Sequence, residues 1–338
     1  MKKSYLIILL ILPLFLFAQI NEGKFIGAKE VHLPDYTYES FLDFPEDIEN
    51  LSNEKKRFIL LVHQKNCPYC ARLSEQILSL ESIKNKITNN FGLIEFNMFG
   101  DREVIGMDGK EYTEKEYAKK LALQFTPAIL FFDENKTKVL QLNGFIKEKK
   151  LLLALDFISE KKEKEMSFNE YLTQKQTSAK DISFVKADFI NTNLKALARS
   201  ESKKELAILF ETPNCEECET LHTKYLNETM INGFIKQLDV ARINLNHNQV
   251  MVSPKKLISY TNDFARSLQV SSSPTIVFFD KNGDEIIRID SLYKMFHMQT
   301  IFDYVVSREY KNQKEFQRYL TDRSRAIRKQ GLDVDIWK

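Results

Sequence analysis

The chain has 338 residues, of which 49 are Lys or Arg and 47 are Asp or Glu, so its formal net charge is only +2. This balance provides no global basic field, and we expect no nucleic acid among its partners. The length exceeds that of one ordinary domain and allows about two.

The N-terminal residues have the pattern of an export signal. Two lysines precede an apolar run from Tyr5 to Phe17, and the small residue Ala18 follows. This order is typical of a secretory signal peptide, although Leu16 is not the small residue that a cleavage site prefers. The run is shorter than the roughly 20 residues of a membrane span, which favours cleavage over an uncleaved anchor. We therefore expect a signal peptide over 1–18 and a periplasmic or secreted protein.

The sequence then repeats itself. The stretch FILLVHQKNCPYCARLSEQIL resembles LAILFETPNCEECETLHTKYL, and their cysteines Cys67 and Cys215 are 148 residues apart. LALQFTPAILFFDEN resembles RSLQVSSSPTIVFFDKNG, and their prolines Pro127 and Pro274 are 147 residues apart. Landmarks that recur at one spacing indicate a tandem duplication.

Each copy predicts the same order of elements. RFILLVH and LAILF are short apolar runs, which indicate buried strands that end just before the cysteines. A helix, a second strand, a polar excursion and a second helix follow. Pro127 or Pro274 then opens an apolar strand, which a turn joins to a last strand, and a helix closes the copy. Strands that alternate with helices before a hairpin predict an α/β fold with a central mixed sheet flanked by helices.

The remaining segments connect and extend the copies. SEKKEKEMS is highly charged and reads as a solvated helix face that leads into a linker. Near the C-terminus, Phe316, Leu320 and Ile327 have roughly helical spacing, which predicts a helix packed on the second domain, with Trp337 as a terminal anchor. Docking of this basic extension to an acidic partner is the alternative. The predicted organisation is a first domain over 19–160, a linker and lead-in helix over 161–195, a second domain over 196–307 and a C-terminal helical extension over 308–338.

The four cysteines of the chain form two pairs, Cys67–Cys70 and Cys215–Cys218. Cysteines that staple a small secreted domain are spread so as to close long loops, whereas rings this short add little stability. Zinc is the main alternative for such pairs. The copies share no further ligand pattern, because His63 precedes the first pair where Glu211 precedes the second. We therefore predict redox chemistry and no metal.

The position of the pairs defines their predicted roles. A cysteine in the first turn of a helix lies near unpaired N–H groups and the positive end of the helix dipole, which favour thiolate over thiol. The thiolate attacks a substrate disulfide, and a second thiol one turn later resolves the mixed disulfide. Cys67 and Cys215 are the predicted attacking residues, and Cys70 and Cys218 are the predicted resolving residues.

Strand, Cys-x-x-Cys, helix and a proline before an apolar FFD strand resemble the thioredoxin superfamily in both copies. The resemblance implies two tandem thioredoxin-like folds and no cofactor. It also implies that Pro127 and Pro274 are the family's cis-prolines, which lie beside the redox pair and help to bind substrate, with Thr126 and Ser273 just before them. The long spacing between each pair and its proline, and the ending FQRYLTDRSRAIRKQGLDVDIW, are similar to SoxW-like proteins and to the C-terminal domain of DsbD-type reductases.

One departure from the family concerns proton transfer. A thioredoxin has a buried acid six residues before its first cysteine, but this chain has Leu61 and Leu209 there. Proton transfer then falls to water, to His63 or to Glu211. For His63, a hydrogen-bonded core histidine without a catalytic role is the alternative.

The leading hypothesis is a periplasmic or secreted thiol–disulfide oxidoreductase that reduces protein disulfides. The resemblance implies a membrane electron donor of DsbD type and, as a client, a sulfur-carrier protein with a reactive cysteine. A disulfide oxidase or isomerase stays open, as does a non-enzymatic thioredoxin-like binding scaffold with a permanently bridged pair.

The residues between the cysteines suggest an order of electron transfer. Glu216 and Glu217 place negative charge beside Cys215, which disfavours its thiolate and makes the second pair the more reducing one. We therefore expect the second domain to pass electrons to the first. The alternative is that one pair is a relic that stays oxidised.

Overall fold

The computed structural model describes residues 21–175, 184–199 and 202–337. The signal peptide expected over 1–18 lies outside these residues. Within the described ranges, no helix is both long and apolar enough to cross a lipid bilayer.

The first repeat folds around a four-stranded sheet. The elements in chain order are β1 (Phe25–Ile26), α1 (Phe44–Asn53), β2 (Arg57–His63), α2 (Pro68–Leu73), α3 (Glu81–Asn90), β3 (Phe91–Asn97), β4 (Glu103–Ile105), β5 (Glu111–Thr113), α4 (Glu114–Lys120), β6 (Ala128–Phe132), β7 (Lys138–Asn143), α5 (Glu148–Ser159) and α6 (Phe168–Gln174). β2 pairs parallel with β3 and antiparallel with β6, which pairs antiparallel with β7, so that the order is β3-β2-β6-β7. α2 continues directly into a π-helical turn over Ser74–Leu78.

The apolar run in β2 explains the layers of this domain. Successive residues of a strand point to opposite faces, so a continuous apolar run needs cover on both sides. Ile59 and Leu61 face one core, to which α2, α3 and α5 contribute. Phe58 and Leu60 face a second core beneath α1 and α4. The sheet is therefore buried between two helical layers, and the end of β2 projects the first cysteine pair.

The second repeat folds around a sheet of the same kind. Its elements in chain order are β8 (Leu206–Glu211), α7 (Glu216–Thr220), α8 (Thr229–Ile235), β9 (Asp239–Asn244), β10 (Val250–Val252), β11 (Ile258–Tyr260), α9 (Thr261–Ser267), β12 (Thr275–Phe279), β13 (Glu285–Ile289), α10 (Met295–Val306), α11 (Phe316–Lys329) and β14 (Val334–Asp335). The strand order is β13-β12-β8-β9, with the same parallel and antiparallel pairings. The predicted tandem α/β fold with mixed sheets is thus confirmed. Each polar excursion also contains a small hairpin, β4–β5 or β10–β11, that the sequence pattern does not predict.

The connecting and terminal segments are built into the two domains. α6, in the segment expected as a linker, packs on the first core through Phe168 and Tyr171. α11 packs on the second core through the buried Phe316. The chain then returns to the first domain, where β14 pairs parallel with β1 and Trp337 lies against Tyr69 with their ring centroids 5.3 Å apart. Trp337 therefore anchors the extension on the first domain, beside its cysteine pair.

The two domains meet near the edge strands β7 and β13, and one of the contacts joins equivalent positions of the repeat. Asn143 Nδ2 donates to Asp290 Oδ2 at 2.7 Å, and these residues are one repeat of 147 positions apart. Gln124 Nε2 donates to the Ile286 carbonyl oxygen at 2.9 Å. A contact between equivalent residues indicates an arrangement close to two-fold symmetry, like that of an isologous dimer interface.

One aromatic residue joins the two cores. Phe125 belongs to the first domain by sequence, but it packs in the apolar cluster of the second. Its ring stacks on Tyr293 with centroids 4.9 Å apart and lies 5.3 Å from the ring of Phe316. Because Phe125 is only 4% exposed, it acts as a core residue of the interface.

Candidate active site

Both cysteine pairs lie where a strand passes into a helix. Cys67 caps the N-terminus of α2, and the Cys70 N–H points at Cys67 Sγ at 3.1 Å. Cys215 caps α7 in the same way, with the Cys218 N–H 3.0 Å from its Sγ. Each pair forms a disulfide. Once a pair is reduced, an N–H aimed at the first sulfur stabilises a thiolate there.

The first site brings together four of the predicted residues, Cys67, Cys70, Thr126 and Pro127. The Thr126–Pro127 peptide bond is cis, and it lies beside the cysteine pair. The Thr126 Oγ1 atom is 3.5 Å from Cys67 Sγ. Residues 59 positions apart in the chain are therefore neighbours, because β2 and β6 are adjacent and antiparallel.

The second site repeats this arrangement with a closer hydroxyl. The Ser273–Pro274 peptide bond is also cis. Ser273 Oγ lies 3.4 Å from Cys215 Sγ and 3.2 Å from Cys218 Sγ, and it accepts a hydrogen bond from the Thr212 N–H at 2.9 Å. A hydroxyl within reach of both sulfurs can donate to whichever sulfur leaves during exchange.

His63 and Glu211 occupy the same position in the two repeats, and each has a partner on the neighbouring strand. His63 Nε2 lies 2.8 Å from Glu95 Oε2. Glu211 is 1% exposed and lies 2.8 Å from His222 Nε2 and 2.7 Å from Arg242 Nε. The first domain therefore has its basic residue on the strand before the cysteines and its acid on the neighbouring strand, whereas the second domain has the reverse. Among the described residues, no hydrogen bond joins His63 or Glu211 to a cysteine sulfur, and their role in proton transfer stays a prediction.

The two sites differ in their exposure to solvent. Cys67 is 3% exposed, whereas Cys215 is partly exposed. Val31, Phe145 and Trp337 pack against the first pair and its Tyr69. The first site is thus covered by residues from the N-terminal segment, from the loop after β7 and from the C-terminal extension.

The inter-cysteine residues contact the opposite domain. Tyr69 Oη accepts a hydrogen bond from the Lys294 N–H at 3.3 Å. At the matching position of the second pair, Glu217 forms an ion pair with Lys147 Nζ at 3.3 Å. Because Lys147 and Lys294 are also equivalent in the repeat, each redox motif touches the same loop of the other domain.

His297 lies beside Tyr69 among aromatic rings. Its ring centroid is 5.1 Å from that of Tyr69 in an edge-on arrangement. The rings of Tyr293 and Phe296 are also close. Burial lowers the pKa of the His297 imidazole from 6.5 to about 4, because the charged form loses its hydration.

Acidic pH should therefore destabilise the protein through His297. Between the unfolded pKa of 6.5 and the folded pKa of about 4, the unfolded chain binds a proton that the folded imidazole does not. The contribution of His297 to the free energy of unfolding is fully present above this pH window. It falls as the pH decreases through the window, by at most about 2 kcal/mol at pH 5. His297→Phe should reduce the difference in unfolding free energy between pH 7 and pH 5, measured in urea. An equal pH dependence in both proteins would contradict this assignment.

Sequence reasoning missed the residues that cover the first site. In the sequence, the only indication of this cover was Trp337, the single tryptophan of the chain. In the part of the chain that the structure describes, no cluster of three or more His, Cys, Asp or Glu side chains is placed to hold a metal ion.

Two mixed sheets, each with a Cys-x-x-Cys pair at a helix N-terminus beside a cis-proline, define a thiol–disulfide class of site. A family model described as a thioredoxin-like domain matches residues 44–159 and 193–306. The chain therefore belongs to the thioredoxin-like domain family, and the predicted pair of tandem domains is confirmed. No curated protein matches the chain.

Solved structures with related folds cover one or both domains. A thioredoxin-fold protein from Helicobacter pylori is 24% identical and covers 40% of this chain and 91% of its own, with a TM-score of 0.31. A thioredoxin from Thermus thermophilus is 18% identical and covers 34% of this chain and 83% of its own, with a TM-score of 0.29. The first two thioredoxin domains of Saccharomyces cerevisiae Eps1p are 11% identical and cover 75% of this chain and 93% of their own, with a TM-score of 0.27.

Proposed function

We propose that this protein is a thiol–disulfide oxidoreductase that acts as a reductase outside the cytoplasm. One observation carries the exchange chemistry, and the resemblance to SoxW-like and DsbD-type proteins supports the reducing direction. In both domains an N-capping cysteine has a backbone N–H aimed at its sulfur and a hydroxyl at 3.4–3.5 Å from the residue before a cis-proline. This arrangement supplies a stabilised thiolate and a hydrogen-bond donor at the point where sulfurs exchange.

The exchange follows from the geometry of the second site. The Cys215 thiolate attacks one sulfur of a substrate disulfide, and the other substrate sulfur leaves as a thiolate. Cys218, once deprotonated, then attacks Cys215 Sγ and releases the second substrate sulfur. The substrate gains two electrons and two protons, and the cysteine pair becomes a disulfide. Ser273 can donate to the sulfurs because it lies within 3.4 Å of both.

The cellular setting is part of the proposal. The basic and apolar N-terminal sequence supports a periplasmic or secreted protein. An oxidising compartment requires that a reductase be recharged, and the resemblance to SoxW-like and DsbD-type proteins supports a membrane electron donor. The same resemblance supports a sulfur-carrier protein as a client.

The two pairs should differ modestly in reduction potential, with the second pair lower. The carboxylates of Glu216 and Glu217 disfavour the Cys215 thiolate, while Lys147 offsets part of that charge. Burial also disfavours the Cys67 thiolate, which acts in the opposite direction. Since 30 mV corresponds to about 1.4 kcal/mol, we expect a difference of only tens of millivolts.

The test is equilibration with glutathione redox buffers of the full chain and of its Cys67→Ser and Cys215→Ser variants. A reductase predicts that both pairs titrate and that the lower potential lies below about −200 mV. A first-pair potential near about −120 mV, the value of a strong oxidant, would make the protein a disulfide oxidase and overturn the proposal. If the reduction potential of the first pair is equal to or lower than that of the second, only the proposed order of electron transfer is overturned.

A binding scaffold is the second candidate, and the burial of Cys67 favours it for the first pair only. A permanently bridged Cys67–Cys70 pair would stay oxidised in every buffer while Cys215–Cys218 titrates. Trapping experiments give an independent readout, because a scaffold forms no mixed disulfide when its resolving cysteine, Cys70, is replaced by Ser.

A further inference from the structure

We propose that Cys67–Cys70 exchanges with low-molecular-weight disulfides that carry carboxylates, whereas Cys215–Cys218 exchanges with proteins. The proposal rests on the thiol–disulfide activity proposed above and names the substrate class of each pair. It follows from the walls around Cys67, from the size of the cavity they border and from the charges at its mouth.

The first wall is a terminal cover formed by residues 24–27 and 334–337. The Val334 N–H donates to the Lys24 carbonyl oxygen at 2.9 Å, within the parallel pairing of β1 and β14. Trp337 then lies over Tyr69, and the Arg72 guanidinium lies 5.8 Å from the centre of the Trp337 ring. The terminal cover thus closes a side of the first pair that stays open to solvent at the second pair.

The second wall comes from the second domain. Tyr293, Phe296 and His297 line the same cavity as Cys67. α11 closes it further, because Gln317 Nε2 donates to the Gln124 carbonyl oxygen at 2.9 Å, two residues before Thr126. At the second pair, Cys215 remains partly exposed.

The cavity that these walls border beside Cys67 is partly open to solvent and has a volume of about 920 Å³. Cavities of this order hold most of the surface of a small organic molecule. A disulfide in a folded protein brings its surrounding surface with it, and that surface would collide with the terminal cover and with α11. A small disulfide can enter without displacing either wall.

The charges at the cavity favour anions modestly. The lining residues include four cations, Lys65, Arg318, Arg325 and Arg328, and one acid, Asp322. Acidic partners offset the three arginines, since they pair with Glu315, Asp322 and Glu22. At the second pair the inter-cysteine residues are both acidic. The first pair should therefore favour anionic disulfides and the second pair cationic ones, and neither preference should be absolute.

The proposed reaction conserves electrons and atoms. The Cys67 thiolate attacks the small disulfide, forms a mixed disulfide and releases one small thiolate, which takes a proton from water. Cys70, after losing its proton, attacks Cys67 Sγ and releases the second small thiol. The pair has then given two electrons to the substrate, and an external dithiol reductant restores it.

The experiment uses the full chain with only one active pair, as the double variants Cys215→Ser/Cys218→Ser and Cys67→Ser/Cys70→Ser. Each is reduced with dithiothreitol, freed of reductant and mixed with glutathione disulfide, cystamine or insulin. If about one molecule in a hundred has an open cover at any moment, the first pair should reduce insulin about 100-fold more slowly than the second. Equal insulin rates at the two pairs would overturn the size argument.

Glutathione disulfide and cystamine are similar in reactive group but opposite in charge. The ratio of their rate constants at the first pair, divided by the same ratio at the second, cancels their intrinsic reactivities. We expect this quotient to be about 10 in favour of glutathione disulfide at the first pair. A quotient of one or less would overturn the carboxylate preference.

Opening the cover should admit proteins. Trp337→Ala should raise insulin reduction by the first pair severalfold, whereas Tyr260→Ala, which removes an exposed ring from β11, should not. Gly27→Ala is a second opening variant, because Gly27 has a φ of +115° and an added Cβ would lie 2.6 Å from Ile336 and 2.9 Å from Trp337 Nε1. If both opening variants fold and neither changes insulin reduction, the cover does not control access.

Failure of this inference is distinguishable from failure of the proposed function. If neither pair reacts with any of the three disulfides, the protein is not an oxidoreductase. If both pairs react and do not discriminate between insulin and the small disulfides, the activity stands and only the assignment of substrate classes falls.

Discussion

Replacing Glu211 with Ala is expected to lower the free energy of unfolding of the second domain by about 3–5 kcal/mol. The Glu211 carboxylate is 1% exposed and lies between His222 and Arg242. Its loss would leave the Arg242 guanidinium, which is 15% exposed, without its acidic partner. An uncompensated charge in a poorly hydrated environment is costly because no other group repays its lost hydration.

The control removes the carboxylate of the corresponding pair in the first domain, in which His63 stands at the position of Glu211 and Glu95 is its partner. Glu95→Ala removes a carboxylate that is 28% exposed and pairs with His63 and Arg102, whose side chain is 48% exposed. Water can replace these contacts, so we expect a cost below about 1 kcal/mol. Hydrogen–deuterium exchange of β8 and β2 peptides in the full chain would assign each loss to its domain. Equal losses for the two variants would show that Glu211 is not an electrostatic support of the second domain.

Phe125→Ala is expected to uncouple the two domains. The change removes a ring that is stacked on Tyr293 and packed on Phe316, and large-to-small changes at such buried positions cost about 3–5 kcal/mol. Phe125 belongs to the first domain but packs in the apolar cluster of the second. The lost free energy is therefore that of the contact between the two domains. Calorimetry of the full chain should change from one coupled transition towards two separate ones.

A buried ring that lies inside one domain is the matched control. Phe264 packs between Phe210 and Phe279, in an apolar cluster that contains only second-domain residues among those the structure describes. Phe264→Ala should lower the stability of the second domain by a similar amount and leave the number of transitions unchanged. Should Phe264→Ala separate the transitions as well, or Phe125→Ala fail to do so, Phe125 would not be the residue that couples the domains.

Local sequence patterns predicted the fold and the motif at each site, but not the residues that cover the first cysteine pair. The apolar run RFILLVH requires burial on both faces, which only a central strand provides. The repeat spacing predicted two copies of one α/β fold. The cysteines were placed at helix starts, and the structure brings Thr126 and Ser273 to their sulfurs. These features depend on residues within one element or on strands that pair directly, and their signals lie within short windows of sequence.

The sequence alone therefore determined that this protein has two thioredoxin-like domains, each with a Cys-x-x-Cys pair at the start of a helix. Only the tertiary structure decided that the two pairs differ in their exposure to solvent. The burial of Cys67 depends on Trp337 and on the pairing of Phe25 with Val334, residues about 300 positions apart in the chain. Strands of two residues have no periodicity to detect, and contacts across such distances depend on how whole domains pack rather than on local preference.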